Sequence, residues 1–357
     1  MIGSVARVPE SVPSGRLTQD TVKLQFLQPN KEIENYLYWV LRSPQYREYC
    51  AGRAMGSAVV AMSREDFLSY EVPPFTSFRS NTVDLLEEIE KRERLLRETN
   101  ATLEAIAQAL FKSWFVNFDP VRAKQEERAP EGMDETTAAL FPDGFEESQL
   151  GLVPKGWRVL SLGEVVDTVG GATPDTKEPD FWDPAEFCWT TPKDLSGMQA
   201  PVLLSTERKL SAKGLAKISS GLLPTGTLLM SSRAPIGYLA IAQTRLAINQ
   251  GYIAMPPGST LPPLYMLFWC RQNMEGIKAR ANGSTFMEIS KKAFRPIPIL
   301  VPPGSVIQAF TDVVAALFDQ IVENEKQAQT LAELRDALLP RLISGQLRLP
   351  EVEALVA

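Results

Sequence analysis

The residue types missing from this chain limit the chemistry it can perform. Its 357 residues include no histidine, which removes the commonest general base near neutral pH and the commonest metal ligand. The sequence has no glycine-rich phosphate loop ending in Gly-Lys-Ser/Thr, so hydrolysis of nucleoside triphosphates has no support. Methyltransferases that methylate the amino group of a base have an Asn/Asp-Pro-Pro-aromatic motif. Here Asp119-Pro120 is followed by Val121 instead of a second proline, so the motif is not present at this position. These absences favour a protein without catalytic residues.

One pattern of charged residues fits a metal-dependent nuclease. Phosphodiester hydrolysis requires clustered carboxylates to hold a metal ion, often beside a lysine. Asp180 and the run Glu207-Arg208-Lys209 supply these residue types. The alternative is that they are solvated surface charges, because a chain with 43 acidic residues contains such matches by chance.

Composition and charge describe a globular protein with one basic region. The chain is 44% hydrophobic and 22% charged, with a net charge of −6. Residues 150–302, however, contain 16 Lys and Arg but only 11 Asp and Glu, so this region is positively charged. The three cysteines are far apart and suit a reducing cytoplasm without disulfides or a zinc site. We find no run of 18 apolar residues and no secretion signal, and therefore expect a cytoplasmic protein without membrane span, metal or cofactor.

The sequence contains an internal repeat. Residues 36–62 align with residues 263–289 at an offset of 227. The matching pairs are Leu37-Tyr38 with Leu264-Tyr265, Gly56-Ser57 with Gly283-Ser284, Ser63 with Ser290, and Phe67 with Phe294. Such an ordered register predicts a duplicated, pseudo-two-fold architecture.

A long helical pattern follows each copy. Apolar residues recur every seven positions, and an offset of 228 carries one helix onto the other. The seam predicted from this spacing comprises Ile89, Leu96, Leu103 and Leu110 in the first helix, and Leu317, Asn324, Leu331 and Leu338 in the second. Sustained heptads predict that the helices pair as an antiparallel coiled-coil-like spacer, with Asn324 either setting register or tolerated near an end. The alternative is that each helix packs on its own globular half.

The bounds of these helices follow from their capping residues. We expect the first to begin at Asn81, a good N-cap, and to end near Trp114. The second should begin after Pro303 and end at Ser344, with Gly345 following it and Pro340 kinking its last turns.

The two copies are unequal in length. The second has about 150 residues before its helix and the first only about 80. The opening segment IGSVARV, residues 2–8, resembles IGYLAIA, residues 236–242. We therefore expect the first globular half to lack its beginning.

The region between the helices has an α+β pattern. Short apolar runs separated by Gly, Pro and polar clusters predict strands. These runs are residues 158–162, 227–231, 239–242 and 247–254, and a helix is expected over 265–281. Residues 119–150 are charged and interrupted by Pro and Gly, which predicts a surface connector with one helical turn.

Eight motifs in order resemble the specificity subunit of type I restriction–modification enzymes. They are FKSWFVNFDPVRAK (111–124), VPKGWRVLSLGEVV (153–166), GGATPDT (170–176), WTTPKDLSG (189–197), SSRAPIG (231–237), NQGY (249–252), NGSTFMEIS (282–290) and LAELRDALLPRLISGQL (331–347). The resemblance covers essentially the whole chain, and it is the ordered combination of the motifs that is specific.

The resemblance implies a fold and a function. In that family two target-recognition domains each read part of a split double-stranded DNA site. Two conserved helical regions space them and dock DNA methyltransferase subunits, and through these the restriction subunit. The family member itself is non-catalytic. This sequence departs from the pattern at its start, which puts an intact first DNA-reading domain in doubt.

The resulting division of the chain is as follows. We expect a truncated first target-recognition domain over 1–78, a spacer helix over 79–118, a connector over 119–150, an intact second domain over 151–302, a second spacer helix over 303–347 and a tail over 348–357.

Residues that read bases need paired donors and acceptors, whereas phosphates are bound by cations and hydroxyls. In the intact domain the candidates are Thr190, Thr191, Lys193, Ser231, Ser232, Arg233, Asn249, Gln250, Lys291, Lys292 and Arg295. Asn249 and Gln250 have carboxamide side chains, the group that can make bidentate contacts to adenine. The alternatives are structural: Arg233 bracing a turn, Asn249 capping one, and the Lys291 cluster as a solvated helix start.

Three functions remain distinguishable at this point. The first is a DNA-recognition subunit within a methyltransferase complex, with self-association as a way to supply two complete domains. The others are a metal-dependent nuclease, and a coiled-coil scaffold or inactive gene fragment that binds no DNA.

Overall fold

The computed structural model describes residues 2–8, 12, 14–18, 21–54, 61–283 and 287–344. They form two compact units, one comprising Met1–Leu96 with Gln327–Ala357 and the other Arg97–Lys326. The α-helices are α1 Lys31–Arg42, α2 Pro44–Gly52, α3 Arg64–Leu68, α4 Ser77–Lys112, α5 Asp119–Gln125, α6 Glu135–Ala139, α7 Leu162–Val165, α8 Ala212–Leu215, α9 Pro263–Gln272, α10 Met274–Lys278, α11 Lys291–Phe294 and α12 Gly304–Ser344.

Among the described residues, the strands all lie in the second unit. They are β1 Phe145–Ser148, β2 Gly151–Pro154, β3 Arg158–Ser161, β4 Phe187–Thr190, β5 Val202–Leu203, β6 Arg208–Leu210, β7 Leu228–Ser231, β8 Leu239–Ala242, β9 Ala247–Ile248, β10 Tyr252–Met255 and β11 Pro298–Val301. They form a four-stranded sheet in the order β10-β7-β8-β5, a three-stranded sheet β6-β4-β9, and the pairs β1-β2 and β3-β11. The predicted α+β class is confirmed.

The core of the second unit lies between the four-stranded sheet and the helices. All four residues of β7 and of β10 are buried, and their apolar runs are typical of strands covered on both faces. Helix α9 is apolar around most of its circumference, with seven buried residues, as expected of a core helix. Phe111 of α4 and Phe310 of α12 pack with Tyr265 of α9. The helix predicted over 265–281 is therefore two helices, α9 and α10.

The first unit is built from α1, α2, α3 and parts of α4 and α12. Its main core joins Trp39 and Val40 of α1 to Leu86 of α4 and Leu338 of α12, all buried. Ser43 is the N-cap of α2, where its hydroxyl accepts the Tyr46 amide, as serine commonly does at this position.

The repeat predicted from sequence is present in the fold. Helices α3 and α4 begin at Arg64 and Ser77, and α11 and α12 begin 227 residues later, at Lys291 and Gly304. The N-caps are equivalent as well, because Ser63 and Ser290 each accept an amide three residues further on. The repeat positions Gly56, Ser57 and Ser284 lie outside the described residues.

Helices α4 and α12 pair antiparallel within each unit. In the first unit Leu86, near the start of α4, shares a core with Leu338, near the end of α12. In the second unit Phe111, near the end of α4, packs on Phe310, near the start of α12, with ring centroids 5.7 Å apart. The predicted antiparallel spacer is confirmed.

The ends of the two helices differ in part from the prediction. Helix α4 begins at Ser77, not Asn81, because the Thr76 carbonyl already accepts the amide of Ser80 at 3.0 Å. Helix α12 runs to Ser344 as expected and contains Pro340. Gly345 lies outside the described residues.

The predicted seam positions are mostly covered. Ile89, Leu96, Asn324 and Leu338 are buried, and Leu103, Leu110 and Leu317 are partly buried against the core of the second unit. Leu331 is half-buried.

In the part of the chain that the structure describes, one helix, Gly304–Arg341, is long and apolar enough to cross a membrane by length and composition alone. Its apolar residues Val306, Phe310 and Val314 are buried in the core of the second unit. Core helices of soluble proteins pass the same test, so this is weak evidence for a membrane span.

Candidate nucleic-acid interface

Several strands of the second unit end at one edge. Strands β4 and β9 are parallel, with Thr190 opposite Ile248, so both end there. Strand β7 ends at Ser231, opposite Tyr252 at the start of the antiparallel β10. The loops that follow β4, β7 and β9 are consequently neighbours.

Backbone hydrogen bonds tie these loops together. The Asn249 amide donates to the Thr190 carbonyl at 3.0 Å, and the Ser232 amide donates to the Gly251 carbonyl at 2.8 Å. The Ser232 carbonyl accepts the amide of Ile289, just before α11, at 3.0 Å. We call the loops 191–193, 232–237 and 249–251, together with the neighbouring loop 168–173 and the segment 287–292, the strand-end cluster.

The loop 168–173 joins the cluster through close backbone approach. The Ala172 amide donates to the Ile248 carbonyl at 3.1 Å. A Cβ on Gly171 would lie 1.8 Å from the Ile248 oxygen, so only glycine fits there. A Cβ on Gly170 would lie 3.2 Å from Lys291 Nζ, which places that lysine over the loop.

Three predicted contact residues are buried and bond inside the domain. The Thr190 hydroxyl is 3.1 Å from the hydroxyl of Tyr252, whose pKa is raised by burial. Ser231 Oγ donates to the Pro235 carbonyl at 2.7 Å and accepts the Tyr238 amide at 2.8 Å. Ser232 is only 3% exposed. These arrangements favour a role in shaping the loops over direct contact with DNA.

The two amide side chains are oriented by neighbouring donors. Asn249 Oδ1 accepts the Gly251 amide at 2.8 Å, which fixes the orientation of its carboxamide. Gln250 is exposed, and its Oε1 accepts the Thr173 hydroxyl at 2.7 Å. Each oxygen already accepts one hydrogen bond, but a carboxamide oxygen has two lone pairs and can accept a second. Both side chains therefore keep the donor and the acceptor that the predicted bidentate contact to adenine requires.

Thr191 and Lys193 belong to a turn stabilised by acidic residues. Thr191 caps the short 3₁₀ helix Pro192–Leu195 and forms a reciprocal capping box with Asp194. Lys193 Nζ lies 2.9 Å from a carboxylate oxygen of Glu207, and this hydrogen bond raises the pKa of the lysine.

Arg233 and Arg295 also have partners. Arg233 lies 3.6 Å from the carboxylate of Glu288, whose backbone pairs with it as well. Arg295 donates from Nε to Thr168 Oγ1 at 2.7 Å and from Nη2 to the Thr168 carbonyl at 2.8 Å. Arg295 therefore connects two loops rather than presenting a free cation.

Lys291 and Lys292 are different from these arginines. Both are exposed at the start of α11. In the described part of the chain neither lysine forms an ion pair within 4.0 Å. They are the cations of the strand-end cluster that are most available to phosphate.

The sequence did not indicate the structural roles of several residues near the predicted contacts. Glu288, Glu207 and Thr173 each hold a predicted contact residue in place. Arg208 lies with its guanidinium carbon 3.5 Å from the ring centroid of Trp182. The sequence placed Glu207 and Arg208 in a nuclease pattern and the other two in family motifs, because each role depends on a partner that only the fold brings close.

Two tryptophans are neighbours in a small hydrophobic cluster of the second unit. Trp189 is 2% exposed, and Trp182 is partly buried beside it, with ring centroids 5.2 Å apart.

The carboxylates of the nuclease pattern are paired with lysines. Asp180 lies 2.6 Å from Lys213 Nζ, and Glu207 pairs with Lys193 as described above. Among the described residues there is no group of three or more His, Cys, Asp or Glu side chains arranged to hold a metal ion.

Known proteins resemble this chain over different lengths. The specificity subunit of the type I restriction enzyme MjaIX from Methanocaldococcus jannaschii is 34% identical over 178 residues, which cover 49% of this chain and 40% of that protein. The HindI specificity subunit from Haemophilus influenzae is 26% identical over 376 residues, covering 92% of this chain and 81% of that protein. The chain thus spans less than half of the first relative and most of the second.

Solved structures of the same kind were also found. The HsdS subunit from Thermoanaerobacter tengcongensis matches with a TM-score of 0.40 and 18% identity, covering 88% of this chain and 70% of that one. The type I restriction–modification S subunit from M. genitalium matches with a TM-score of 0.47 and 16% identity, covering 86% and 72%.

The family comparison covers the strand-end cluster itself. The family described as type I restriction modification DNA specificity domain matches residues 154–334. This range is half of the chain and contains every loop of the cluster. The chain therefore belongs to the family of type I restriction modification DNA specificity domains.

Proposed function

We propose that this chain is the non-catalytic DNA-recognition subunit of a type I restriction–modification complex in the cytoplasm. The strand-end cluster contacts one part of a split double-stranded target. Helices α4 and α12 dock DNA adenine methyltransferase subunits, and through them the restriction subunit. The observation that carries this proposal is the convergence of the loop segments of the cluster at one edge of the second unit.

The chemistry of the cluster suits duplex DNA. Lys291 and Lys292, which form no ion pair among the described residues, supply cations for phosphates, and phosphate contacts position a protein on DNA. Gln250 presents a carboxamide to base edges, and Arg233 presents a guanidinium, the group that most often contacts guanine. The proposal therefore assigns phosphate contacts to the start of α11 and base contacts to the loops after β7 and β9.

The partners follow from the family. The relatives are specificity subunits of type I restriction enzymes, and a further matching structure concerns complex assembly of the type I restriction–modification system. We expect the full chain to co-purify with a DNA adenine methyltransferase of such a system. Failure of a folded chain to bind the methyltransferase would contradict the docking role.

The DNA-reading role is tested by selecting bound sequences from random duplexes. The full chain with its methyltransferase should enrich one defined half-site. Gln250→Ala should relax the preference at one base pair by about 1–3 kcal/mol, since one bidentate contact is lost. Gln125→Ala, which alters an exposed glutamine on α5, outside the cluster and the docking helices, is the matched control and should leave the selected sequence unchanged. Absence of any enriched sequence would reject the proposed function.

A further inference from the structure

Polar pairs interrupt the apolar contact between α4 and α12. In the first unit, both carboxylate oxygens of Glu93 lie within hydrogen-bond distance of Arg335 Nη1, at 2.8 and 2.9 Å. The two side chains are only 2% and 13% exposed. Arg335 also contacts the carboxylate of Asp336 at 2.8 Å. The pair is therefore buried and well hydrogen-bonded.

The second pair lies within the second unit. Asn324 Nδ2 donates to Asn100 Oδ1 at 2.9 Å, and the two residues are 4% and 2% exposed. Asn100 Nδ2 lies 3.4 Å from the Ile321 carbonyl. Asn324, the polar exception in the predicted seam, thus has a partner on the facing helix.

The repeat shows that these pairs are asymmetric. At the offset of 228 that relates the helices, each polar residue corresponds to an apolar one. The equivalent positions are Glu93 and Ile321, Asn100 and Ala328, Leu96 and Asn324, and Ala107 and Arg335. All four apolar equivalents are buried. The acidic residue Glu93 is on α4 and the basic residue Arg335 is on α12, although the two helices have the same heptad pattern.

A duplicated helix pair has an alternative partner in a second copy of itself. With equivalent seams, α4 of one chain could pair with α4 of another as readily as with α12. When α4 pairs with α4 of a second copy, Glu93 of one chain would lie opposite Ala107 of the other, because Ala107 is the equivalent of Arg335. A buried charge without its partner is strongly destabilising, and a buried Asn selects the arrangement in which it meets another Asn.

We propose that Glu93–Arg335 and Asn100–Asn324 make α4 and α12 of one chain select each other and disfavour pairing of either helix with its counterpart in a second copy. The proposal concerns assembly and does not depend on DNA recognition. It predicts that self-association through this seam is suppressed in the natural sequence.

The test makes the two seams alike. The fourfold variant Glu93→Ile, Asn100→Ala, Asn324→Leu, Arg335→Ala gives each position the residue found at its equivalent. Light scattering of the natural full chain should give the 39.5 kDa of one chain at every concentration. The measured mass of the variant should rise towards twice that value as its concentration increases. Copies of the variant with different affinity tags should also co-purify.

The control carries similar substitutions outside the seam. Glu88→Ile with Asp319→Leu changes two exposed acidic residues of the same helices and should remain at the mass of one chain. If the fourfold variant does not fold, Asn100→Ala with Asn324→Leu, which removes no charge, is judged by the same criterion. A folded variant that stays at one chain, a natural chain that dimerises through α4, or dimerisation of the control would each overturn the proposal.

Discussion

Two neighbouring cations, Lys291 of the strand-end cluster and Arg295 at the end of α11, should respond differently to the same substitution. Arg295→Ala removes a guanidinium that donates two hydrogen bonds to Thr168, at 2.7 and 2.8 Å. Lys291→Ala removes an exposed ammonium that forms no ion pair among the described residues. We expect the first change to lower stability and the second to weaken DNA binding.

The size of each effect follows from these contacts. Hydrogen bonds from a charged donor contribute about 1.5–3 kcal/mol each when buried. Thr168 is 5% exposed but Arg295 is exposed, so we take about 1.5–3 kcal/mol for both bonds together. In a unit of this size that corresponds to a loss of roughly 3–12 °C in Tm. For Lys291→Ala, loss of one phosphate contact makes the negative slope of log K for DNA binding against log salt concentration shallower by about 0.9.

Two assays separate the outcomes. Urea unfolding measures stability, and fluorescence anisotropy of a labelled duplex over a range of salt concentrations measures the slope. Arg158→Ala is the control for loss of positive charge. Arg158 is exposed and lies outside the strand-end cluster, at the start of β3, where the backbone is opposite Val301. The reasoning is refuted if Arg295→Ala keeps full stability while its salt slope falls as far as that of Lys291→Ala.

Three further changes test other contacts. Glu288→Gln releases the guanidinium of Arg233 and removes a negative charge, so binding to non-specific duplexes should tighten and its salt slope should steepen by up to about 0.9. Gly171→Ala brings a Cβ to 1.8 Å from the Ile248 oxygen, and urea unfolding should show a loss of at least about 2 kcal/mol. Glu325→Gln should raise stability at pH 7 and flatten its pH dependence, because desolvation raises the pKa of this carboxyl above its usual 4.5 in the folded chain.

The sign of the last prediction follows from proton linkage. A carboxyl with a raised pKa in the folded state binds more protons there than in the unfolded state. Stability therefore falls as pH rises from the unfolded pKa through the folded one. If the free energy of unfolding of the natural chain and of Glu325→Gln has the same pH dependence above pH 4.5, desolvation of this carboxyl does not affect stability and the prediction is wrong. For Gly171→Ala the matched control is Gly144→Ala, where a new Cβ meets nothing within 4 Å.

The sequence predicted the long helices and the class of fold because their signals are local. Heptad spacing identified α4 and α12, and β8 matched its apolar run residue for residue. The partner of Asn324 could not be predicted, since Asn100 lies on a different heptad column and becomes a neighbour only once the helices are in register. The start of α4 was misplaced because Thr76 was not recognised as a cap.

The candidate interface was predictable at the level of loops but not of side chains. The motifs located the loops, and the fold brings them to one edge. Residue type alone grouped Arg295 with Lys291, although one is committed to Thr168 and the other is exposed. It also placed Ser231 among the contact residues, whereas the Ser231 hydroxyl bonds to its own turn. Charge and hydrogen-bonding capacity can be read from sequence, but whether they are already used cannot.

The pairing of β3 with β11 has a consequence for how this region can change. Arg158 and Ser161 lie opposite Val301 and Pro298, so the chain leaves and re-enters the region through two adjacent strands. The intervening residues 162–297 contain every loop of the strand-end cluster. An exchange of that segment would therefore replace all of these loops together, while the β3–β11 pair and its connection to α12 stay in place.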